Sequence, residues 1–291
     1  MNLAVGFFDG VHLGHRRILS CADAALTFRN HPATIFAPSR APSLLMTSET
    51  RLAAIRSALS AHAEDRVGEP VRALDFTAEL AAQSPDVFAD WLRMSYPGLE
   101  VLFCGANWTF GAGGRGDAEF LRARGFRVEV VPFAEYAGAP VSSTRVRAAV
   151  AAGNLASVSA MLGCPWRLEG ELAPGKGVGR ELGYPTLNVH PVAGLVQPPC
   201  GVYAVETALG AGVANFGLAP TMGEQAWKRP VLEVHLFAEK NALPSSGSFF
   251  VDMKRFLRPE QTFASLEDLR AQIARDVVAA RGCDFNSLKN L

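Results

Sequence analysis

Short apolar runs alternate with helix-like segments over roughly the first half of the chain. The apolar runs lie at residues 3–7, 24–28, 71–74, 99–104 and 126–131. Each run is short enough to form a buried parallel strand. Between them, Ser48 is predicted to cap a helix that runs through Ala61, and Ser84 is predicted to cap another that opens with Pro85. The alternation predicts an α/β fold with a doubly wound parallel sheet, whose ligand binds at the carboxyl ends of the strands.

The pattern changes after residue 163. Short strand-like runs then lie between glycines and prolines, at 166–172, 201–208, 212–216, 231–237 and 248–253. Runs of this kind predict a small antiparallel β-barrel. We therefore expect two domains, at residues 1–163 and 164–291, with two short helices at 142–152 and 154–162 just before the boundary.

A terminal helix is predicted from Ser265 to Arg281, because Ser265 and Asp268 resemble a capping box. Its apolar residues recur at helical spacing and predict the face that packs on the core. This stripe consists of Leu266, Leu269, Ile273 and Val277. The second domain is thus expected to be a barrel followed by one helix.

Composition excludes several classes of protein. The 291-residue chain is 49% hydrophobic and 19% charged, which allows two buried cores. Its 28 basic and 28 acidic residues leave no net charge to attract nucleic acid. No apolar run approaches the ~20 residues that span a bilayer, and no secretory signal is visible. Five widely spaced cysteines without a CxxC pair argue against disulfides and a zinc site. We expect a cytoplasmic protein, and an oligomer is compatible with the sequence but not predicted.

Residues 6–15, GFFDGVHLGH, carry the strongest chemical signal. They follow the first apolar run, so His12 and His15 fall one turn apart at the start of a helix. Gly14 allows a ligand to approach the backbone closely, and a helix amino terminus attracts phosphate. The segment therefore indicates a phosphate site of the kind that nucleotide chemistry needs. A metal-binding pair and two ordinary capping histidines are the alternatives at this point.

Two later segments of the first domain also suit ligands. GANWTFG (105–111) offers an amide and aromatic faces for a planar ring. SSTRVR (142–147) offers hydroxyls, the N–H groups of a helix start and a guanidinium group for phosphate. The alternatives are a glycine-rich turn whose aromatic residues fill the core, and a plain helix cap with a surface arginine.

The second domain contains three comparable segments. PGKGVGR (174–180) can wrap phosphate with backbone N–H groups. GYPTLN (183–188) carries a hydroxyl and an amide that can face a Mg-nucleotide if the segment is extended. The alternating run 231–237 places Glu233 and His235 on one strand face, with His235 expected to be structural. A surface hairpin and a solvated outer-face glutamate are the alternatives.

In their order along the chain, these segments resemble one family. GFFDGVHLGH, TFRNHP (27–32), GANWTFG, SSTRVR and GYPTLN are similar to successive motifs of the prokaryotic bifunctional FAD synthetases. Those are riboflavin kinase/FMN adenylyltransferases of the HxGH nucleotidyltransferase superfamily. The resemblance covers nearly the whole chain. It implies phosphorylation of riboflavin by ATP to FMN, then adenylylation of FMN by ATP to FAD with release of pyrophosphate, both with Mg²⁺.

The resemblance also implies a role for each matching residue. The adenylyltransferase would use His12 and His15 in catalysis. It would bind ATP through Gly6, Phe7, Gly14, Ser143, Thr144 and Arg147. Its flavin ligands would be Phe28, His31, Pro32, Asn107, Trp108 and Phe110. The kinase would use Glu233 as its catalytic base. Its Mg²⁺ ligands would be Thr186 and Asn188, and its ATP-binding glycines Gly175, Gly177 and Gly179.

The chain departs from the family pattern in three places. Phe7 stands where Asn is usual, and only residues 16–26 separate the histidines from the next strand. The segment 238–247 lacks the acidic, tyrosine-containing sequence that usually follows the glutamate strand. Two other functions therefore stay open. One is an FAD synthetase with only its adenylyltransferase half active, and the other is a non-catalytic flavin-binding protein derived from this family.

Overall fold

A computed structural model describes residues 1–59, 69–175, 178–220, 228–238 and 243–283. The chain divides into two compact units. The first consists of Met1–Ser43 and Thr47–Ser143, and the second of Leu44–Met46 and Thr144–Leu291.

Five parallel strands form the central sheet of the first unit. They are β1 (Asn2–Val5), β2 (Ala24–Phe28), β3 (Val71–Leu74), β4 (Val101–Gly105) and β5 (Val128–Val131). Their spatial order is β3-β2-β1-β4-β5, so the order reverses between β1 and β4. All five predicted runs are thus strands, and the doubly wound parallel sheet is confirmed. The reversal makes the carboxyl ends of β1 and β4 the expected binding crevice.

α-Helices connect the strands of the first unit. They are α1 (Leu13–Leu19), α2 (Ala33–Phe36), α3 (Ser48–Ala58), α4 (Ala78–Ala82), α5 (Pro85–Ser95) and α6 (Ala118–Ala123). A two-stranded ribbon of β6 (Glu135–Tyr136) and β7 (Ala139–Pro140) follows. Ser84 caps α5 as predicted. The predicted cap of α3 is wrong, because Thr47 accepts the backbone N–H of Thr50 and Ser48 is already helical. The helix ends at Ala58, and Ala61 lies outside the described residues.

Six antiparallel strands form a closed barrel in the second unit. They are β8 (Trp166–Ala173), β9 (Leu187–Pro191), β10 (Gly201–Thr207), β11 (Gly210–Pro220), β12 (Lys228–Leu236) and β13 (Gly247–Pro259). Their order is β10-β11-β12-β9-β8-β13. The predicted barrel is confirmed. Strand β9 was not among the predicted runs, because it is short and follows a turn and a proline, and its neighbours β8 and β12 fix it in place.

The remaining helices are α7 (Ser143–Ala151), α8 (Leu155–Leu162), α9 (Val178–Glu181) and α10 (Leu266–Arg281). Helix α10 begins at the predicted cap, Ser265. The predicted apolar stripe is wrong at Leu266, which is 68% exposed. Leu266 is the first residue of the helix, and the buried residues Asp276 and Ala280 lie further along it. Arg258 of β13 donates to both carboxylate oxygens of Asp276 at 2.9 and 2.7 Å, and this ion pair holds the helix to the barrel. Among the described residues, no helix combines the length and the hydropathy needed to cross a bilayer.

Candidate active sites

The loop that follows β1 has a strained backbone. Phe8 and Val11 adopt left-handed conformations, with φ of 59° and 39°, beside Gly10 at 81°. Such conformations are costly for residues with a Cβ, and they concentrate at functional sites. Phe8 and Val11 are almost completely buried, at 2% and 1% exposure, so the surrounding core enforces the loop conformation. The loop connects β1 to the amino terminus of α1.

His12 and His15 lie side by side at that terminus. His12 is the capping residue, and its Nδ1 accepts the backbone N–H of His15 at 3.4 Å. The two imidazole rings stack with their centroids 3.6 Å apart and an interplanar angle of 19°. A Cβ on Gly14 would lie 3.2 Å from the His12 ring, so glycine leaves room for the stacked pair. The cap and the glycine together fix where the His12 ring stands.

Both histidines are held in the neutral form. Burial lowers the pKa of His12 to about 4. The pKa of His15 is lowered well below its usual range, mainly by burial and secondly by the charge of His12. Because Nδ1 of His12 accepts a hydrogen bond, the ring proton of His12 is on Nε2. The pair can therefore donate N–H groups to an anion at neutral pH without itself carrying charge.

A cavity of about 520 Å³ opens beside this loop in the first unit. Its wall includes eight of the predicted residues, drawn from three segments of the sequence. They are Gly6, Phe7, His15, Phe28, Pro32, Asn107, Trp108 and Phe110. His12, Gly14 and His31 lie outside its wall. A cavity of this volume suits a ligand with a planar ring system, and the carboxyl ends of β1, β2 and β4 surround it.

Aromatic rings form a large part of the cavity wall. Trp108 and Phe110 stack at 4.9 Å, and Phe76 packs edge-on against Phe28 at 4.9 Å and against Phe36 at 5.4 Å. The sequence analysis missed Phe36 and Phe76, since isolated aromatic residues in a sequence carry no positional signal. The nearest sequence signal for Phe36 was its place four residues after Pro32, which is one of the predicted flavin ligands.

Asn30 fixes the position of Phe76. Its carboxamide donates to the backbone carbonyl of Phe76 at 2.9 Å and accepts the backbone N–H of Phe76 at 2.8 Å. The two hydrogen bonds join the loop after β2 to the loop after β3. They therefore hold one aromatic wall of the cavity in a single arrangement.

The segment 142–147 meets the β1 loop through one hydrogen bond. Ser143 begins α7, and its hydroxyl donates to the backbone carbonyl of Asp9 at 2.9 Å. Thr144 and Arg147 follow on the same helix, where Arg147 Nη2 donates to Thr144 Oγ1 at 3.2 Å. The structure thus brings Ser143 to the histidine loop, and the roles of Thr144 and Arg147 in binding the same ATP stay a prediction.

A second cluster lies on the barrel. In the register of its strands, Glu233 of β12 stands opposite Asn188 of β9 on one side and Asn215 of β11 on the other. Side chains in direct register on adjacent strands lie within about 5.5 Å at their Cβ atoms. The barrel therefore places a carboxylate between two amides. The sequence analysis missed Asn215, although its pairing with Glu233 follows once β11 and β12 are paired.

Two glycines of the segment 174–180 lie against Thr186 and Asn188. A Cβ on Gly175 would come within 2.0 Å of Nδ2 of Asn188, and a Cβ on Gly179 within 3.2 Å of Oγ1 of Thr186. Only glycine allows such close approach of the backbone. Gly177 lies outside the described residues. Gly175, Gly179 and the two predicted Mg²⁺ ligands thus line one polar recess.

Glu233 has an unusual acid–base environment. Although the residue is exposed on the strand, partial burial of its carboxyl group raises its pKa, and the charge of Glu260 raises it further. Asn215 Nδ2 lies 3.5 Å from the carboxylate of Glu260. His235, two residues along, hydrogen-bonds through Nδ1 to the carbonyl of Pro185 at 3.0 Å, which is a structural contact. A carboxylate with a raised pKa accepts a proton more readily.

Comparison with known proteins identifies the family. The family described as FAD synthetase matches residues 1–145, and the family described as Riboflavin kinase matches residues 162–283. The bifunctional riboflavin kinase/FMN adenylyltransferase of Escherichia coli (strain K12) is 36% identical over 300 residues, which cover 96% of this chain and 91% of that relative. This chain belongs to the bifunctional riboflavin kinase/FMN adenylyltransferase family.

Further comparisons agree with this assignment. The family member from Pseudomonas fluorescens is 35% identical over 302 residues, 95% of this chain and 91% of that relative. The crystal structure described as a macrolide-efflux protein from Streptococcus pneumoniae has a TM-score of 0.82 and 22% identity, and covers 97% of this chain and 94% of that chain. That likeness shows the fold alone. The resemblance drawn from the sequence motifs is confirmed.

Proposed function

We propose that the parallel-sheet domain transfers the adenylyl group of ATP to FMN, and that the barrel phosphorylates riboflavin with ATP. The observation that carries the first half is the stacked, neutral histidine pair beside an aromatic cavity and the Ser143–Asp9 hydrogen bond. The observation that carries the second half is Glu233 in register with Asn188. Both reactions belong to the activities of the family.

In the adenylyl transfer, a phosphate oxygen of FMN attacks the α-phosphorus of ATP. The bond from that phosphorus to the bridging oxygen breaks, and pyrophosphate leaves with the electron pair. A reaction of this type needs no covalent intermediate with the protein. The contribution of the chain is therefore to position the substrates and to stabilise negative charge. His12 and His15 donate N–H groups to the phosphate oxygens, and Ser143, Thr144 and Arg147 bind the triphosphate from α7.

The flavin ring of FMN is held by the aromatic cavity. Trp108, Phe110 and Phe28 provide flat surfaces, and the amide of Asn107 is available for hydrogen bonds to the ring edge. Pro32 also lines the cavity. His31, which belongs to the same loop, is the last of the proposed flavin ligands. Such a site favours a planar tricyclic ring over a small polar substrate, because most of its lining is apolar.

In the kinase reaction, the 5′-hydroxyl oxygen of riboflavin attacks the γ-phosphorus of ATP. Glu233 takes the hydroxyl proton, the bond between the γ-phosphorus and the bridging oxygen breaks, and ADP leaves with the electron pair. The raised pKa of Glu233 suits a base of this kind. Gly175 and Gly179 approach the phosphates with backbone N–H groups, as the recess around Thr186 and Asn188 allows.

Magnesium fits the residues of this recess. Mg²⁺ prefers hard oxygen ligands and is usually shared between one or two protein groups, water and substrate phosphates. Thr186 Oγ1 and the Asn188 carboxamide provide two such oxygens, and the glycines leave space that a Cβ would fill. Bound there, the ion would neutralise charge that develops on the transferred phosphoryl group. In the described part of the chain, no cluster of three or more His, Cys, Asp or Glu side chains offers another metal site.

Three further expectations are part of the proposal. The domain boundary is placed at 163/164, the chain works in the cytoplasm, and its ligands are small molecules and not nucleic acid. Equal numbers of acidic and basic residues and five cysteines outside any disulfide support the last two.

One assay tests both activities. Purified protein is incubated with ATP and Mg²⁺ and either riboflavin or FMN, and the flavins are separated by chromatography. We expect FMN and FAD from riboflavin, and FAD from FMN. FMN without FAD would contradict the adenylyltransferase assignment. FAD from FMN with no product from riboflavin would contradict the kinase assignment, and flavin binding without turnover would contradict both.

A further inference from the structure

Arg51 is a fully buried charge in the first unit that neither proposed reaction uses. It lies on α3 and has an exposure of 0%. Burying a guanidinium group costs desolvation free energy. Buried guanidinium groups are therefore found where specific partners offset that cost. The partners of Arg51 are therefore informative about its role.

The first partners are backbone groups at the carboxyl end of β2. Arg51 Nη2 donates to the carbonyl oxygen of Phe28 at 2.6 Å and to that of Arg29 at 2.9 Å. These carbonyls lie where the strand ends and the chain turns toward Pro32. Arg51 thus fixes the end of β2. This end carries Phe28 and leads to Pro32, and both residues line the cavity.

The second partner is the ring of Phe7. The Cζ atom of Arg51 lies 4.0 Å from the centroid of that ring, within the range of a cation–π contact. The same ring packs edge-on against His31, with centroids 4.7 Å apart. Phe7 also lines the cavity. Arg51, Phe7 and His31 are therefore joined by successive contacts, and Phe7 is the member of this group that lines the cavity.

The charges around Arg51 come from two acidic residues. Burial lowers the pKa of Arg51, while Asp9 and Glu49 oppose that shift. Asp9 is 2% exposed and belongs to the strained loop that leads to His12. Nε and Nη1 of Arg51 make no hydrogen bond to any described residue. The guanidinium group is thus held by the strand end, the Phe7 ring and the field of the loop carboxylate.

We infer that Arg51 is a positioning residue for FMN, which holds Phe7 and the end of β2 so that the cavity keeps the shape of the flavin ring. Arg51 is not part of the cavity wall and contacts no reacting atom. This inference rests on the proposed adenylyltransferase function. A merely structural arginine would lower stability and affect both substrates alike, whereas a positioning residue for the flavin affects FMN selectively.

The test is steady-state kinetics of FAD formation by the full chain, with FMN and ATP varied in turn. Arg51→Met keeps the length of the side chain without its charge or donors, and Arg51→Lys keeps the charge. Arg56→Met is the matched control, since Arg56 is on the same helix, is exposed and pairs with Glu69. FMN formation from riboflavin by each variant serves as an internal control for folding of the barrel.

For Arg51→Met we expect KM for FMN to rise roughly tenfold, with KM for ATP changed by less than about twofold. Arg51→Lys should lie between this variant and the wild type, and Arg56→Met should match the wild type. A parallel rise in both KM values, or a fall in kcat with KM for FMN unchanged, would overturn the inference.

A second variant keeps the inference testable if Arg51→Met does not fold. Arg51→Gln keeps donors for the carbonyls of Phe28 and Arg29 but removes the charge beside the Phe7 ring, so it should also weaken FMN binding selectively. Quenching of FMN fluorescence measures that binding without turnover. Wild-type affinity for FMN in folded Arg51→Gln would reject the inference. A wild type that binds FMN but forms no FAD would instead reject the proposed function.

Discussion

The imidazole rings of His12 and His15 stack with their centroids 3.6 Å apart. Two charged imidazoles at this distance would repel each other, and burial adds to the cost of charge. Burial lowers the pKa of both groups, and the charge of His12 lowers that of His15 further. The pair is therefore organised as two neutral donors beside a helix amino terminus, an arrangement that can bind a phosphate group.

Replacing His12 should stop one reaction only. We expect His12→Ala to reduce FAD formation from FMN by a factor of roughly 10² to 10³, the usual cost of removing one donor to a developing negative charge. FMN formation from riboflavin should be unchanged. Ser20→Ala, an exposed position at the end of the same helix, is the control. Loss of both activities in a folded His12→Ala protein would contradict the division of labour between the domains.

Glu233→Gln should have the opposite effect. The amide keeps the size of the side chain but cannot take the riboflavin hydroxyl proton, so FMN formation should fall by roughly 10² to 10⁴. FAD formation from supplied FMN should be unaffected. Chromatography of both reactions on the same preparation gives the comparison. A variant that still phosphorylates riboflavin at the wild-type rate would show that Glu233 is a solvated surface residue.

Glu260 should set the pH dependence of the kinase. The raised pKa of Glu233 depends first on burial and second on the charge of Glu260. Glu233 must be ionised to act as a base, so kinase activity should fall as the pH drops through its raised pKa. Glu260→Gln removes the second contribution, and the acid limb of the kcat/KM profile should move to lower pH. An unchanged limb would mean that the observed ionisation belongs to another group.

Gly175→Ala should disturb the kinase without changing any polar side chain. The new Cβ would lie 2.0 Å from Nδ2 of Asn188, so the amide must move. A shift of about 1 Å in a positioning group can cost up to 10²-fold in rate, and we expect a loss of that order in FMN formation. Gly98→Ala is the control, because no atom lies within 4 Å of its Cβ. Equal effects of the two substitutions would argue against the polar recess.

The sheet and the barrel could be predicted from the sequence because their signals are local. Apolar runs and glycine- or proline-rich turns mark the strands, and Ser84 and Ser265 mark helix starts. Contacts made by tertiary structure could not be predicted in this way. Leu266 fits a helical stripe, yet it is the first residue of α10 and lies apart from the buried residues Asp276 and Ala280 further along the helix.

The same difference between local signals and tertiary contacts applies to the candidate sites. His12, His15 and Ser143 were predicted from short motifs, and the fold brings them to one loop. Arg51 was missed because a charged residue in an amphipathic helix normally faces water. Its signal was its spacing, since it precedes the buried Ile55 by four residues and thus shares its face. Glu260 was missed because its approach to Glu233 depends on barrel closure.

Acid should destabilise the first domain through His12. Its pKa is about 4 in the folded chain and close to 6.5 when unfolded. The unfolded chain therefore binds more protons between these values, and the free energy of unfolding should fall as the pH drops from about 6.5 to about 4. A shift of this size corresponds to roughly 3 kcal/mol, and His15 contributes with the same sign.

The measurement is urea unfolding of wild type and His12→Asn at a series of pH values across this range. Asn is a good capping residue, so the variant removes the titrating ring while keeping an acceptor for the backbone N–H of His15. We expect the pH dependence of the unfolding free energy to be smaller in His12→Asn. An identical slope in the two proteins would mean that His12 is charged or accessible in the folded state, and the neutral-donor role would then be wrong.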